Sequence, residues 1–277
     1  MPNVQLVRKK DLSSFRKIAI GTWQDAYDPS VYGTLEIRMD EALKYLAAFR
    51  EKTGKRLTVT HLVAKGVAAA LKRCPDANAV LRYNRIYLRP HVDIFLQVVM
   101  NDEGEDKIDL SGAKLERVEE KTLGELVDEL EAKVALIRAR KDPSLEKTRK
   151  SMMKFPGMLM NKFLKLLGFL MYTLNLDLRW AGLPKDPFGS LMITNIGSIG
   201  LDIGYVPLVP YSHVPILIAL GAVHDAPIVD NGAVVAAKVM KVNATFDHRF
   251  IDGYHASVLS KTLRQMLEHP FDSFDNI

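Results

Sequence analysis

The sequence predicts a single α/β or α+β domain in which helices cover a mixed sheet. Three observations carry this. Apolar, strand-like runs recur at residues 92–100, 190–196, 214–223 and 233–244. Amphipathic helical segments fall between and after them. No internal repeat or low-complexity linker divides the 277 residues, and a 48% hydrophobic content is enough for a sizeable core.

Residues 32–39 alternate in polarity and read as the first clear strand. Asp40 is expected to cap a helix running to about Thr53, with Leu43, Leu46, Ala47 and Phe49 as its apolar stripe and Gly54 as its stop. Thr58-Val59-Thr60 introduces a second helix, from His61 to Arg73, whose Ala, Val and Leu content implies burial; Pro75 ends it. Residues 85–88 and 92–100 read as strands, followed by a turn over 101–106. Residues 122–140 form a long amphipathic helix with Leu123, Leu126, Leu130, Val134 and Ile137 on one side. Its acidic start and basic end suit the helix dipole. The strand at 190–196 enters a glycine-punctuated turn, Gly197-Ser198-Ile199-Gly200. Asp230-Asn231-Gly232, between the runs at 214–223 and 233–244, is a hairpin signal. The last helix spans 254–268 and stops before Pro270.

The formal net charge of +5 is compatible with a phosphate-bearing ligand or an anionic surface. Nucleic acid is excluded as a partner, because neither zinc-finger Cys/His spacing nor an aromatic RNA-binding signature occurs. Metal ligation is not expected. The one cysteine, Cys74, can form no internal disulfide; it reads as a small buried side chain in a reducing, cytoplasmic compartment. The N-terminus has no basic-then-apolar leader pattern, and no run of about 18 apolar residues is present to span a membrane.

Residues 151–187 stand apart. A helix from Pro156 to about Leu174 places Lys154, Asn161, Lys162, Lys165 and Gly168 on one narrow face and apolar residues over most of the rest. Such a helix is either buried in protein or laid on a membrane surface.

The chemistry points to His248. Of seven histidines, six are discounted as structural: His61, His91, His213, His224, His255 and His269. His248 follows an apolar strand and precedes Asp252-Gly253, which opens a helix. A strand-end imidazole beside a glycine that admits another group is a general-base arrangement able to take a thiol proton near neutral pH. Asp252, if buried, needs a cationic partner.

Asp247-His248-Arg249-x-x-Asp252-Gly253 resembles the signature of the catalytic domain of dihydrolipoyl acyltransferases, the core component of 2-oxo-acid dehydrogenase complexes. It also matches the wider His-x-x-x-Asp-Gly pattern shared with chloramphenicol acetyltransferase. Met192-Ile193-Thr194-Asn195-Ile196-Gly197 is similar to the family's Thr-Ile-Ser-Asn-Leu-Gly segment, and Tyr205-Val206-Pro207 fits the stretch just after that segment. Gly54-Lys55-Arg56-Leu57-Thr58-Val59-Thr60, Lys65-Gly66 and Pro75-Asp76-Ala77-Asn78 resemble its first helical region. Asp11-Leu12-Ser13-Ser14-Phe15-Arg16-Lys17 is similar to the N-terminal segment of the chloramphenicol enzyme. The likeness runs from about Asp11 to Pro270 and breaks at 151–187, which looks like an apolar helical insertion in one catalytic domain spanning 1–277.

The resemblance implies a chloramphenicol acetyltransferase-like two-layer α/β sandwich with a mixed sheet, assembled as a closed homotrimer or a higher assembly of trimers. It implies that His248 deprotonates the thiol of coenzyme A or of a dihydrolipoyl group, which attacks a thioester. Thr194 stands where the family has a serine that donates to the oxyanion, and keeps the hydroxyl. Histidine and hydroxyl then come from different subunits. Asp252 supports the site by pairing with Arg16; Asp247 and Arg249 hold the loop; Gly253 lets the backbone pass close; Asn195 is a turn residue. A lipoyl domain and a subunit-binding domain are not recognisable, so no covalently bound lipoyl group is expected on this chain. The expectation is a stand-alone acyl-coenzyme A-dependent acyltransferase using a lipoyl-bearing protein or a small-molecule acceptor. The competing expectation is a non-catalytic trimeric scaffold, peripheral to a membrane through the insertion.

Overall fold

The computed structural model describes residues 2–8, 28–101, 108–139 and 157–277. Its main sheet has seven strands. β2 (Ser30–Arg38), β10 (Ala233–Asp247), β8 (Ile216–Leu220), β7 (Leu191–Asn195), β5 (Ile94–Asn101) and β6 (Ile108–Leu115) lie side by side in that order, and β9 (His224–Asp230) pairs with the first half of β10. The sheet is mixed: β5–β7 and β7–β8 are parallel, and the other pairs are antiparallel. A small second sheet joins β1 (Val7–Arg8), β4 (Arg85–Leu88) and β3 (Ala79–Arg82).

Alternation along the strands decides which face is buried. Ile37 of β2, Met240, Val242 and Ala244 of β10, Ile216, Ile218 and Leu220 of β8, and Leu191 and Ile193 of β7 share one core cluster. Four helices supply its other half: α1 (Asp40–Thr53), α2 (Val59–Arg73), α3 (Leu123–Arg138) and α5 (Gly253–Glu268). α2 and α5 pack closely; a Cβ on Gly66 would lie 2.8 Å from Leu263 Cδ1. The other sheet face carries a smaller cluster, Met192, Val214 and Leu217, packed with Phe95, Phe188 and residues 206, 208 and 209. The result is helices over one face of a mixed sheet, as the sequence predicts.

Several local expectations need correction. Asp40 is the first helical residue of α1, not its cap; Met39 holds that position without a side-chain bond, and Asp40 instead bonds Arg38 and the amide of Lys238. The helix turns Ala42, Tyr45 and Phe49 inward and leaves Ala47 exposed, because Tyr45 packs against the C-terminal Phe271 and Phe274. The fifth strand starts at Ile94 rather than Val92, and α3 ends at Arg138. The Asn231-Gly232 turn has both residues in the left-handed region and joins β10 to β9, not to β8. β9 escapes a search for apolar runs because only alternate residues are half-buried. The turn expected at 101–106 falls almost entirely outside the described residues.

In the 151–187 region the described helix is α4 (Gly157–Gly168), which loosens into a π-helical turn over Phe169–Thr173. Leu167 and Leu170 pack on a cluster of Val4, Val80, Met171, Tyr172 and Leu178. The sequence puts Gly168 on one narrow face with Asn161, Lys162 and Lys165, which are exposed. Gly168 is buried instead, against the backbone of Tyr211, where a Cβ would lie 3.2 Å from the carbonyl oxygen. Asn3 fastens the N-terminus to this region, donating to Met171 O (3.1 Å) and accepting from Asp186 N (2.8 Å). Asp186 in turn forms a buried two-point ion pair with Arg89 (2.5 and 3.2 Å) and accepts from the Tyr172 hydroxyl. Burial pushes the Asp186 carboxyl up, but Arg89 and then Lys114 more than offset this and leave it below its ordinary value.

Candidate active site

β10 is the longest strand, and its last residue builds the site. The Asp247 carboxylate accepts the Arg249 amide (3.0 Å) and a two-point guanidinium bond from Nε (2.9 Å) and Nη2 (2.5 Å). Its backbone oxygen accepts the amides of Phe250 and Ile251, while its own amide bonds Pro215 O. Phe250 and Ile251 are sunk in the core, 2% and 1% exposed. The loop between β10 and α5 is therefore pinned at both ends.

His248 sits in that loop. Its amide donates to Pro29 O at 2.9 Å, and its Nδ1 lies 2.7 Å from Ile251 O. A carbonyl oxygen only accepts, so Nδ1 carries the proton and the neutral ring keeps its lone pair on Nε2. The backbone thus selects the tautomer that a general base requires.

Asp252 occupies the N-cap of α5. Its Oδ1 accepts from Tyr254 N (3.0 Å) and His255 N (3.3 Å), and the buried His255 Nδ1 lies 2.6 Å away. This is a capping box with histidine as the reciprocal partner, and a carboxylate there also suits the helix dipole. The sequence pairs Asp252 with Arg16; that residue lies outside the described residues. Asp252→Ala is expected to lower stability by about 0.5–2 kcal/mol, while Asp252→Asn retains the cap acceptor and most of that stability. Thermal melts of the two variants decide this, and equal losses would show that the charge matters rather than the cap. Gly253 opens α5 in an ordinary helical conformation, and a Cβ there would meet nothing within 4 Å.

Thr194 and Asn195 end β7 on the far side of the sheet. Asn195 is a turn residue, as expected: its Oδ1 accepts Ser198 N at 3.1 Å and its amide reaches Thr60 Oγ1 at 3.3 Å. Gly197 is required by close approach, since a Cβ would fall 2.5 Å from Gly221 O. Thr194 pairs in register with Ala219, Ala219 with Asn243, and Asn243 with Thr34. The side chains of this row share the sheet face opposite the helices. Sequence reading missed its polar continuation. Asn243, 1% exposed, accepts the Thr34 hydroxyl (2.9 Å) and donates to Asp202 O (3.1 Å); Tyr205 OH lies 2.5 Å from Thr34 Oγ1. An amide inside the apolar run of β10 was the available signal.

The same register separates the two halves of the predicted site. Asp247 lies four positions beyond Asn243 along β10, and Thr194 lies two strands across from Asn243. At about 3.4 Å per residue and 4.8 Å per strand, the two lie roughly 17 Å apart within one chain. The structure brings Asp247, His248, Arg249, Asp252 and Gly253 together; it does not bring Thr194 to them.

His213, in the left-handed region, stacks on Tyr172 with ring centroids 5.0 Å apart. Burial, with the nearby Arg249 cation adding to it, pushes His213 down to about 4. Among the described residues the one grouping with metal-ligand spacing is His91, Glu119 and Glu120. Its carboxylates are already engaged: Glu119 accepts the Val92 amide and Glu120 pairs with Arg117. No described helix is long and apolar enough to cross a membrane.

Comparison with known proteins agrees with this fold. The dihydrolipoyllysine-residue acetyltransferase component of the acetoin cleaving system of Bacillus subtilis is 22% identical over 274 residues, covering 96% of this chain and 56% of the relative. The chain therefore spans about half the length of that protein. A structure of Azotobacter vinelandii dihydrolipoamide acetyltransferase, determined to examine a serine, a histidine and an asparagine in its mechanism, superposes with a TM-score of 0.65 at 19% identity. It covers 95% of this chain and 93% of the other. A chloramphenicol acetyltransferase covers 95% of this chain and 100% of its own, with a TM-score of 0.51 at 14% identity, which establishes a fold of that type. The model of the 2-oxoacid dehydrogenases acyltransferase catalytic domain matches residues 5–149 and 187–274, leaving 150–186 between its two parts. With the fold, the strand-end histidine loop and these matches in agreement, the chain belongs to the family of 2-oxoacid dehydrogenase acyltransferase catalytic domains.

Proposed function

We propose that this protein transfers an acyl group between a coenzyme A thioester and a thiol acceptor, a dihydrolipoyl group on a partner protein or a small free thiol. The observation that carries the reading is the 2.7 Å contact from His248 Nδ1 to Ile251 O, which leaves Nε2 as the base. His248 Nε2 takes the acceptor's thiol proton. The thiolate attacks the thioester carbon, and the carbonyl oxygen becomes an oxyanion that accepts a hydrogen bond from the Thr194 hydroxyl. Collapse breaks the bond to the coenzyme A sulfur, which leaves as a thiolate and recovers the proton from His248. Asp247 and Arg249 hold the loop, and Asp252 holds the helix behind it.

The separation of Thr194 from His248 supports a site shared between two chains, with His248 from one and Thr194 from the next. A closed homotrimer satisfies this with three equal sites, alone or within a larger assembly. The Azotobacter relative's histidine and asparagine are four residues apart, the spacing of His248 and Asp252 here, which supports the assignment of the loop. A cytoplasmic enzyme fits a chain with a single buried thiol.

The test is thiol release from acetyl- and longer acyl-coenzyme A with dihydrolipoamide as acceptor. Wild type is expected to turn over. His248→Ala and Thr194→Val, each inactive alone, are expected to regain about a quarter of wild-type activity when mixed equally and reassembled, since a quarter of the interfaces then carry both intact residues. No recovery on mixing would sink the two-chain site. No turnover by wild type would leave the trimeric scaffold reading.

A further inference from the structure

We infer that the outward face of α4, together with Trp180, is a docking surface for an anionic phospholipid membrane.

The helix has two faces of unlike duty. Inward it uses Leu167 and Leu170 against the Val4–Tyr172 cluster, and Gly168 against Tyr211. Outward, at helical spacing, it presents Leu159, Lys162, Lys165, Leu166 and Phe169, all exposed. Leu159, Leu166 and Phe169 remain 46%, 53% and 46% accessible, and Trp180, in the turn beyond it, is 86% accessible. Large apolar side chains repeated on one side of one helix mark a contact surface rather than scattered exposure.

Charge selects the occupant. From Lys147 to Leu176 the sequence contains Lys147, Arg149, Lys150, Lys154, Lys162 and Lys165 and no aspartate or glutamate. The next carboxylate, Asp177, is tied to Arg179 at 2.6 Å with its side chain 8% exposed. A second copy would bring Lys162 and Lys165, with no carboxylate between them, against the same pair. Protein interfaces also disfavour lysine at their centres. Lysines interleaved with leucine and phenylalanine are instead the composition of helices lying in the headgroup layer. The apolar side chains enter the acyl boundary while the lysine stems extend their ammonium groups to the phosphates. A helix of 12 residues spans about 18 Å, enough to lie in that layer and too short to cross it.

The experiment is vesicle flotation with the full chain, using phosphatidylglycerol–phosphatidylcholine vesicles and pure phosphatidylcholine vesicles. Wild type is expected to float with the anionic vesicles only, and less as salt is raised. Leu166→Glu/Phe169→Glu and Lys162→Glu/Lys165→Glu are each expected to reduce binding at least tenfold. All four positions are exposed, so circular dichroism and melting should match wild type; should the first variant misfold, the second carries the test. Wild type that stays at the bottom, or variants that float undiminished, overturns the proposal. So does a variant that runs as a smaller oligomer while wild type never floats, which would make this face a contact between copies. Acyl transfer measured without vesicles is unaffected by either outcome, so the two proposals stand or fall separately.

Discussion

Replacing His248 with alanine is expected to lower acyl transfer about a thousandfold, within the 10²–10⁴ range of a lost general base. The loop does not depend on the imidazole for its shape. Asp247 holds Arg249, Phe250 and Ile251, the His248 amide still reaches Pro29 O, and two buried side chains anchor the turn. The variant should therefore fold and melt like wild type. What it loses is the Nε2 lone pair that the Ile251 carbonyl keeps unprotonated. The loss should appear in kcat, with KM for the acyl-coenzyme A little changed, because the imidazole acts on a proton rather than on the bound thioester. A rate within tenfold of wild type would remove His248 from the mechanism.

Removing Arg89 is expected to cost about 3–5 kcal/mol of stability. The guanidinium is 3% exposed and its partner Asp186 is 8% exposed, so truncation leaves a carboxylate in the interior with the Tyr172 hydroxyl as its remaining side-chain donor. The pair lies 97 residues apart in sequence and fastens the end of the 157–188 region to the segment leading into β5. Arg89→Met alone should shift the urea midpoint strongly, and Arg89→Met/Asp186→Leu should recover most of that shift, because no charge is then stranded. A double variant as unstable as the single one would show that the loss is packing. Acid acts on the same pair. With its folded pKa depressed, Asp186 contributes stability above the ordinary carboxylate range that is lost as pH falls through the folded value.

These two sites also mark how far the sequence could be read. The His248 loop was legible because its residues are contiguous: Asp247 to Gly253 fold on one another, and strand end, histidine and cap appear in order. Gly54 and Asn231-Gly232 were legible for the same reason, each being a local conformational requirement. The hydrogen bond from Thr34 to Asn243, across 209 residues, and the Arg89–Asp186 pair depend on register and crossover, which a single chain does not spell out. β6 was hidden by composition. Gly112 interrupts it because the ring of Phe95 lies over that position, 1.9 Å from where a Cβ would be. Arg16 lies outside the described residues, so the proposed partner of Asp252 rests on the resemblance alone.

The roughly 17 Å between Thr194 and Asp247, the residue before His248, has a consequence for control. On the proposed reading, a lone chain owns two half-sites and no whole one. Dilution below the dissociation constant of the assembly would then silence the chemistry, and reassembly would restore it. Catalytic output becomes a report on quaternary integrity.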